Sequence, residues 1–180
     1  MMSSKNLSAE GEKMLSQLSI RNIAVIERTS IDFEEGFNVL TGETGAGKSI
    51  IIDSINAVLG ARSSKELIRS GTDSGIVSAL FTGVSEDVLN SAAELGFYSD
   101  EDEGLLIQRE IKSNGKSICK VNGFPATVTM LKSLGVKLVG IHGQHESYDL
   151  LSENEHINYI DAYSELFAIK SKYEKSFENL

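Results

Sequence analysis

The chain has 180 residues, of which 41% are apolar, so it is long enough for one globular domain with a core. No apolar run approaches the ~20 residues of a membrane helix, and the single cysteine, Cys119, excludes an internal disulfide framework or a Cys-rich zinc module. The formal net charge is -9, and residues 84–103 hold seven acids and no Lys or Arg. The sequence therefore lacks the strongly basic surface that is typical of nucleic-acid-binding domains. Without a disulfide framework or a membrane helix, a cytoplasmic protein without a membrane partner is expected.

The first third of the chain predicts strands that lead into a helix. Residues 1–13 are polar and aperiodic, and we expect a disordered leader or an added extension there. Apolar residues between Leu15 and Phe33 mark two β-rich runs, and residues 37–40 predict a short buried strand. Residues 49–59, rich in isoleucine, predict a buried helix that Gly60 ends.

The middle of the chain predicts alternating short elements up to residue 141. Helices are predicted at 64–69, at 85–95 with Ser85 as N-cap, and at 127–134 before Gly135. Strands are predicted at 76–81, 105–111, 117–121 and 137–141. Turns at Asn114-Gly115 and Asn122-Gly123 predict an antiparallel meander, and we expect Cys119 to be a buried structural thiol.

From Ser152 onward the pattern changes, because glycine and proline no longer occur. Residues spaced 3-4-3-4-3 then form a seam with one polar interruption: Tyr163, Leu166, Lys170, Tyr173, Phe177 and Leu180. Two interpretations remain open, an amphipathic helix packed on the core and the root of a protruding coiled-coil arm. We favour the arm, over residues 152–180.

The strongest motif is a phosphate-binding loop. Residues Gly42, Glu43, Thr44, Gly45, Ala46, Gly47, Lys48 and Ser49 match G-x-x-x-x-G-K-[ST] at every fixed position, between a predicted strand and a predicted helix. Backbone N–H groups of such a loop point at phosphate oxygens, and the helix N-terminus adds partial positive charge. Lys48 can contact the β- and γ-phosphates, and the Ser49 hydroxyl can bind Mg²⁺. The motif predicts a nucleoside triphosphate site, with ATP and Mg²⁺ as ligands.

A second candidate is Gln144, in the segment IHGQHE at the end of the last predicted strand. A side-chain amide there can bind Mg²⁺ and orient a water toward the γ-phosphate. The alternative is an ordinary exposed loop residue, and the phosphate-binding loop in the same chain favours the catalytic reading.

Other parts of a hydrolytic site are missing from the sequence. No apolar strand ends in the Asp that helps to hold Mg²⁺, since Asp53 lies inside the predicted helix that follows the phosphate-binding loop. No L-S-G-G-type signature follows Gln144 either. We therefore expect an N-terminal piece of a longer protein, inactive as an ATPase on its own.

Five segments together resemble a known family: MLSQLSIRNIAVIE, FNVLTGETGAGKSIIIDSI, LGARSS, GKSICKVNG and IHGQHE. They are similar to the heads of SMC-like ATPases, and within that group to the RecN family of bacterial DNA double-strand-break repair ATPases. The resemblance implies an α/β P-loop NTPase fold of the ABC/SMC head type. It implies that residues 14–151 are the N-terminal half of the head, with a mixed sheet and an antiparallel β-lobe, followed by the coiled-coil arm.

The resemblance also implies roles for individual residues. Lys48 and Ser49 would be the Walker A ligands of phosphate and Mg²⁺, and Gln144 the residue of the Q-loop. Arg69 corresponds to the arginine loop of such heads, while Arg62 and the pair Arg21-Asn22 are weaker candidates for nucleotide contact.

The function implied is ATP-driven engagement of two heads, coupled to DNA tethering in recombinational repair. The implied partners are DNA, the C-terminal half of the same head and a second head, in a cytoplasmic, nucleoid-associated protein. Three alternatives stay open: a transporter-type ABC ATP-binding domain, a self-contained P-loop switch or small-molecule kinase, and a purely structural binding module. A long coiled-coil insertion before the missing motifs would distinguish the RecN type from the transporter type.

Overall fold

One six-stranded sheet organises the N-terminal unit of the protein. The structure, a computed structural model, describes residues 14–42, 47–97 and 104–141 together with residues 173, 176 and 177. The chain divides into residues 1–139 and residues 140–180. The predicted leader at 1–13 lies outside the described residues.

The sheet consists of β1 (Met14–Ile23), β2 (Ile26–Asp32), β3 (Ser74–Thr82), β4 (Leu105–Lys112), β5 (Ser117–Val121) and β6 (Phe124–Ala126). The strand order is β2-β1-β3-β4-β5-β6, and every neighbouring pair is antiparallel. The turn between β5 and β6 has positive φ angles at both central residues, Asn122 and Gly123, as a tight hairpin requires. The predicted meander of β4, β5 and β6 is confirmed.

Burial alternates along the strands and gives the sheet two different faces. In β3 every second residue is buried, and side chains of the same face in neighbouring strands, such as Leu18 and Ile107, are fully buried. We call the opposite face the open face; its members are exposed or half-buried. They include Ser19, Arg21, Arg28, Ser30, Ile76, Ser78, Gln108, Glu110 and Lys120.

In the described parts of residues 14–141, three α-helices accompany the sheet: α1 (Lys48–Val58), α2 (Glu86–Glu94) and α3 (Val128–Leu138), with a 3-10 turn at Lys65–Leu67. Helix α1 packs on the buried face through Ser54, Ala57 and Val58. Helices α2 and α3 contact each other, and Lys137 forms a salt bridge of 3.0 Å with Asp87. Within the described ranges, no helix has the length and apolarity needed to cross a membrane.

The C-terminal end of α1 lies close against α3. A Cβ built on Gly135 would lie 2.7 Å from the carbonyl oxygen of Leu59, and one on Gly60 would lie 2.5 Å from the backbone nitrogen of Lys132. Gly60 also has a φ of +89°, so it serves both as the end of α1 and as a point of close approach. These two glycines allow the helices to meet at backbone distance.

Two predicted strands are wrong. Residues 37–40 have no regular structure, and Phe37 is 93% exposed, because none of the described strands lies beside this apolar run. Residues 137 and 138 belong to α3, and residues 139–141 have no regular structure. Gly135 does not end the helix as predicted, since its lack of a side chain serves packing against Leu59. The parallel part of the mixed sheet that the resemblance implies is therefore not formed within the described ranges.

Helix α1 is also less buried than its isoleucines predicted. Ile50, Ile51 and Ile55 are half-buried, and Ile52 is 47% exposed. The sheet covers only one side of α1, which leaves the other side apolar and accessible.

The C-terminal unit is described at three positions. Residues 173, 176 and 177 are helical, and the rings of Tyr173 and Phe177 stack with centroids 6.4 Å apart. This is the i, i+4 relation expected along the predicted seam. The coiled-coil arm at 152–180 stays a prediction.

Candidate nucleotide site

The phosphate-binding loop is described at its two ends. Helix α1 begins at Lys48, with Gly47 at the N-cap position, and the Lys48 Nζ donates a hydrogen bond of 2.6 Å to the carbonyl oxygen of Gly42. This bond joins the first glycine of the motif to its lysine. Glu43, Thr44, Gly45 and Ala46, which lie between them, are outside the described residues.

The N-terminus of α1 is open to an anion. Among the residues that the structure describes, no side chain caps it, and its first turn carries no acidic residue. The first N–H groups of a helix have no partner within the helix, and together with the helix dipole they attract negative charge. Ser49, the second residue of α1, is exposed, so its hydroxyl is accessible to a metal ion.

The described glycines of the motif are not explained by protein packing. A Cβ built on Gly42 or on Gly47 meets no atom within 4 Å, and Gly47 has a φ of -92°, which other residues adopt readily. The space beside both glycines is therefore open. The residues therefore fit a triphosphate with its Mg²⁺, with Lys48 and Ser49 as the side-chain ligands.

Arg69 and Asn22, two further candidates, are brought together. The Arg69 backbone N–H donates to the carbonyl oxygen of Asn22 at 3.0 Å, and its guanidinium donates to the carbonyl oxygen of Val25 at 2.7 Å. Arg69 thus ties its own loop to the turn between β1 and β2. Ile68, beside it, clusters with Ala57 in the last turns of α1, which places this pair near the C-terminal end of the helix.

Arg62 and Gln144 are not joined to the phosphate-binding loop by the described structure. Arg62 is exposed and follows the C-terminal end of α1, whereas Lys48 begins it; an 11-residue helix is about 16 Å long. Gln144 lies outside the described residues. Their predicted roles stay predictions.

Arg109 was missed by the sequence analysis although it supports α1 directly. It is only 4% exposed, and its Nη1 donates to the carbonyl oxygens of Ala57 at 2.6 Å and Ala61 at 2.7 Å. Burial lowers the pKa of Arg109 from its ordinary value, with the neighbouring Cys119 opposing that shift. The sequence does contain a signal, since Arg109 occupies an inward position in a strand that alternates Leu105, Ile107, Arg109 and Ile111.

Cys119 is buried, as predicted, and lies opposite Arg109 in the β4–β5 pair. Burial raises the pKa of its thiol, and the positive charge of Arg109 offsets part of that rise. A neutral, buried thiol is a structural group rather than a nucleophile.

Comparison with known proteins agrees with this fold. Residues 17–180 match the family described as AAA domain, and the chain belongs to this family. Its fold is that of a P-loop head of the SMC type. It resembles a crystal structure of the Smc head domain with an extended coiled coil, bound to the C-terminal domain of ScpA and derived from Pyrococcus furiosus. That likeness has a TM-score of 0.67 and 22% identity, covering 93% of this chain and 46% of that one.

Within this class, the chain is similar to DNA repair proteins RecN. It is 43% identical over 152 residues to RecN of Bacillus subtilis (strain 168), covering 84% of this chain and 26% of that protein. It is 42% identical over 152 residues to RecN of Halalkalibacterium halodurans, covering 84% and 27%. The chain thus spans about a quarter of the length of the curated relatives it matches. The resemblance predicted from the motifs is confirmed.

Proposed function

We propose that this chain is the ATP-binding part of a RecN-like ATPase head. In the whole protein, ATP binding engages two heads and hydrolysis releases them, and this cycle drives DNA tethering during double-strand-break repair. One observation carries the proposal: an uncapped helix N-terminus with Lys48 at its first position, preceded by glycines whose absent side chains leave open space. Relatives named DNA repair protein RecN support the DNA repair context and disfavour the transporter-type alternative.

The loop and the residues proposed to act with it contribute in different ways to nucleotide binding. The backbone N–H groups of the loop and of the first turn of α1 donate to phosphate oxygens. Lys48 releases the carbonyl oxygen of Gly42 and turns its ammonium to the β- and γ-phosphates. Ser49 and Gln144 are the proposed Mg²⁺ ligands; the ion neutralises phosphate charge when bound. Gln144 also orients the attacking water.

The exposed apolar surface supports a requirement for the C-terminal half of the head. Phe37, Val39 and Leu40 are 93%, 63% and 39% exposed, and Ile52 on α1 is 47% exposed. These exposed apolar side chains flank the phosphate-binding motif in the sequence, and large exposed apolar surfaces mark interaction sites. We propose that the C-terminal half covers it and supplies the Mg²⁺-binding Asp and the signature motif. The present chain alone would then bind nucleotide without hydrolysing it.

The remaining partners follow from the proposed head engagement. A second copy of the head would complete each ATP site with its signature motif, and DNA would be held by the assembled protein. We propose a cytoplasmic, nucleoid-associated location on the same grounds, and roles for Arg69, Asn22 and Arg62 near nucleotide or DNA. The coiled-coil arm would join the two halves of the head.

The test is nucleotide titration of the full-length protein carrying Lys48→Ala, with Lys116→Ala as control. Lys116 is exposed in the turn between β4 and β5. Loss of a charge-assisted phosphate contact is worth about 2–5 kcal/mol, which is at least tenfold in affinity. The control should bind ATP like the unchanged protein. Equal affinity in Lys48→Ala would refute the assigned site.

ATP turnover tests the second part of the proposal. Residues 1–180 should not turn ATP over alone, and adding the C-terminal half of the head should restore turnover. Hydrolysis by residues 1–180 alone would contradict it.

A further inference from the structure

Two arginines face each other on the open face of the sheet. Arg21 of β1 and Arg28 of β2 are direct partners in the antiparallel register, and both are exposed. Like charges directly opposite each other in a sheet are unfavourable, so this pair is not there to stabilise the fold. Among the described residues, neither arginine has a salt-bridge partner. The positive charge of the pair is therefore available to a binding partner outside the sheet.

The carboxylates of the open face do not neutralise this pair. Glu110 is separated from Arg21 by Ile76 of β3, which is two strand spacings or roughly 10 Å. Asp32, at the other end of β2, accepts a hydrogen bond of 2.7 Å from Gln17. An anion at the arginine pair thus meets little competition from the protein.

The arginine pair borders a shallow recess on the open face. Ser19, Arg21, Arg28 and Ile76 line a space of about 130 Å³. The Ser19 hydroxyl can donate beside the two guanidinium groups, and Ile76 adds an apolar side chain to the lining. Arginine forks and a hydroxyl are donors that suit a phosphodiester oxygen.

A row of polar side chains extends from the recess across the sheet. The register aligns one residue from each of five strands: Ser30, Ser19, Ser78, Gln108 and Lys120. Gln108 donates to the Ser78 hydroxyl at 3.2 Å, so the row is preorganised by a hydrogen bond at its centre. Lys120 lies three strand spacings from the arginine strand β1, about 15 Å away. The donors thus form a track across the sheet, with the arginine pair beside one end and Lys120 at the other.

We propose that this track binds the sugar–phosphate backbone of duplex DNA. The inference rests on the proposed function, which requires a DNA partner, and it names the surface that meets it. An extended polyanion fits charges separated by about 15 Å better than a single phosphate does. The track lies on the face of the sheet opposite α1, so it is distinct from the phosphate-binding loop at the helix N-terminus. Because the chain has a net charge of -9, such a local basic track is where DNA would be attracted.

The experiment measures binding of a fluorescent duplex to the full-length protein as salt concentration is varied. The variant is Arg21→Gln with Arg28→Gln, and the control is Lys65→Gln with Lys132→Gln, which removes the same charge from exposed positions of the 3-10 turn and of α3. We expect the arginine variant to bind DNA about tenfold or more weakly at ~0.1 M salt, and its salt slope to fall by about 2, at ~0.9 per phosphate contact. The control should change neither quantity to that extent.

Three accompanying measurements make the result specific. Arg28→Gln alone should weaken DNA binding and leave the affinity for a fluorescent ATP analogue equal to that of the unchanged protein, which separates this inference from the proposed nucleotide site. The melting temperature of the arginine variant should not fall, because a repulsive pair has been removed. Poly-glutamate should displace the duplex only weakly.

Several results would overturn the inference. One is an unchanged DNA affinity and salt slope in the arginine variant, and another is an equal loss of DNA affinity in the control. A third is displacement of the duplex by poly-glutamate as effectively as by competitor DNA, which would assign the face to an acidic protein. Absence of any DNA binding by the unchanged protein would also overturn it, while intact ATP binding in that case would leave the nucleotide site standing.

Discussion

Arg109 donates a 2.6 Å hydrogen bond to the carbonyl oxygen of Ala57, and so strand β4 holds the last turn of the helix that begins with Lys48. The carbonyl groups at a helix C-terminus lack partners within the helix and carry partial negative charge. The buried guanidinium donates hydrogen bonds to two carbonyl groups at this end. Their partial negative charge takes the place of a carboxylate partner. The position of the phosphate-binding helix on the sheet therefore depends on one charged side chain from the middle of β4.

Replacing Arg109 by Met should lower the free energy of unfolding by about 3 kcal/mol, because hydrogen bonds to a charged donor are lost and buried carbonyl groups stay unpaired. Denaturant unfolding measures this loss. Lys120→Met, on the exposed face of the next strand, is the matched control and should change stability by less than about 0.5 kcal/mol. Equal effects of the two substitutions would mean that Arg109 does not hold the helix.

Gly135→Ala should destabilise the protein although alanine favours helices. The added Cβ would lie 2.7 Å from the Leu59 carbonyl oxygen and 2.9 Å from the Leu59 Cβ, and the backbone there cannot move without separating α1 from α3. The cost of such overpacking is about 1–3 kcal/mol. Val136→Ala, on the exposed side of α3, should be neutral or slightly stabilising. Thermal unfolding of the two variants decides the matter, and a stabilised Gly135→Ala would show that the helices are not in backbone contact.

The Cys119 thiol should react slowly with iodoacetamide in the folded protein, because burial raises its pKa above the ordinary value of 9.0. The folded state then holds the thiol proton more tightly than the unfolded state does. The contribution of Cys119 to stability is therefore constant below pH 9 and falls as pH rises from about 9 through the higher pKa of the folded state. Unfolding measured between pH 7 and pH 10.5 should show a steeper loss in the unchanged protein than in Cys119→Ala. Parallel curves would contradict the shift.

Phe37→Ser should destabilise the full-length protein by about 2–3 kcal/mol, if its apolar surroundings come from the C-terminal half of the head. In residues 1–180 alone the same change should have little effect, since the ring is 93% exposed there. Val136→Ser, at a position that is 70% exposed on α3, is the control and should be mild in both proteins. A mild effect of Phe37→Ser in the full-length protein would remove the argument for a covering layer at this site.

The local elements of this protein were largely predictable because their signals are local. The alternation in β3 to β5, the Asn-Gly turns and the glycine-rich motif before α1 each depend on a few neighbouring residues. Residues 37–40 have the apolar composition of a strand but lack a described partner, and strand formation needs one. Gly135 carries the usual sign of a helix end, but its packing partner, Leu59, is distant in sequence.

The residues of the candidate site also divide into those that a local motif predicts and those that depend on contacts between distant parts of the chain. Lys48 and Ser49 were predictable because a contiguous motif carries them. The support from Arg109 and the bond from Arg69 to the β1–β2 turn were not, since each joins elements more than 40 residues apart. Only the register of the sheet reveals that Arg21 and Arg28 are partners.

The two outer strands of the sheet affect how the protein behaves at high concentration. A free strand edge can recruit the backbone of a neighbouring molecule and start aggregation. In the part of the chain that the structure describes, β6 has only three residues and includes Pro125, whose nitrogen cannot donate a hydrogen bond, and β2 carries Glu27, Arg28 and Asp32 at exposed positions. Both edges thus resist intermolecular strand pairing. Unassembled chains would instead associate through the apolar surface around Phe37.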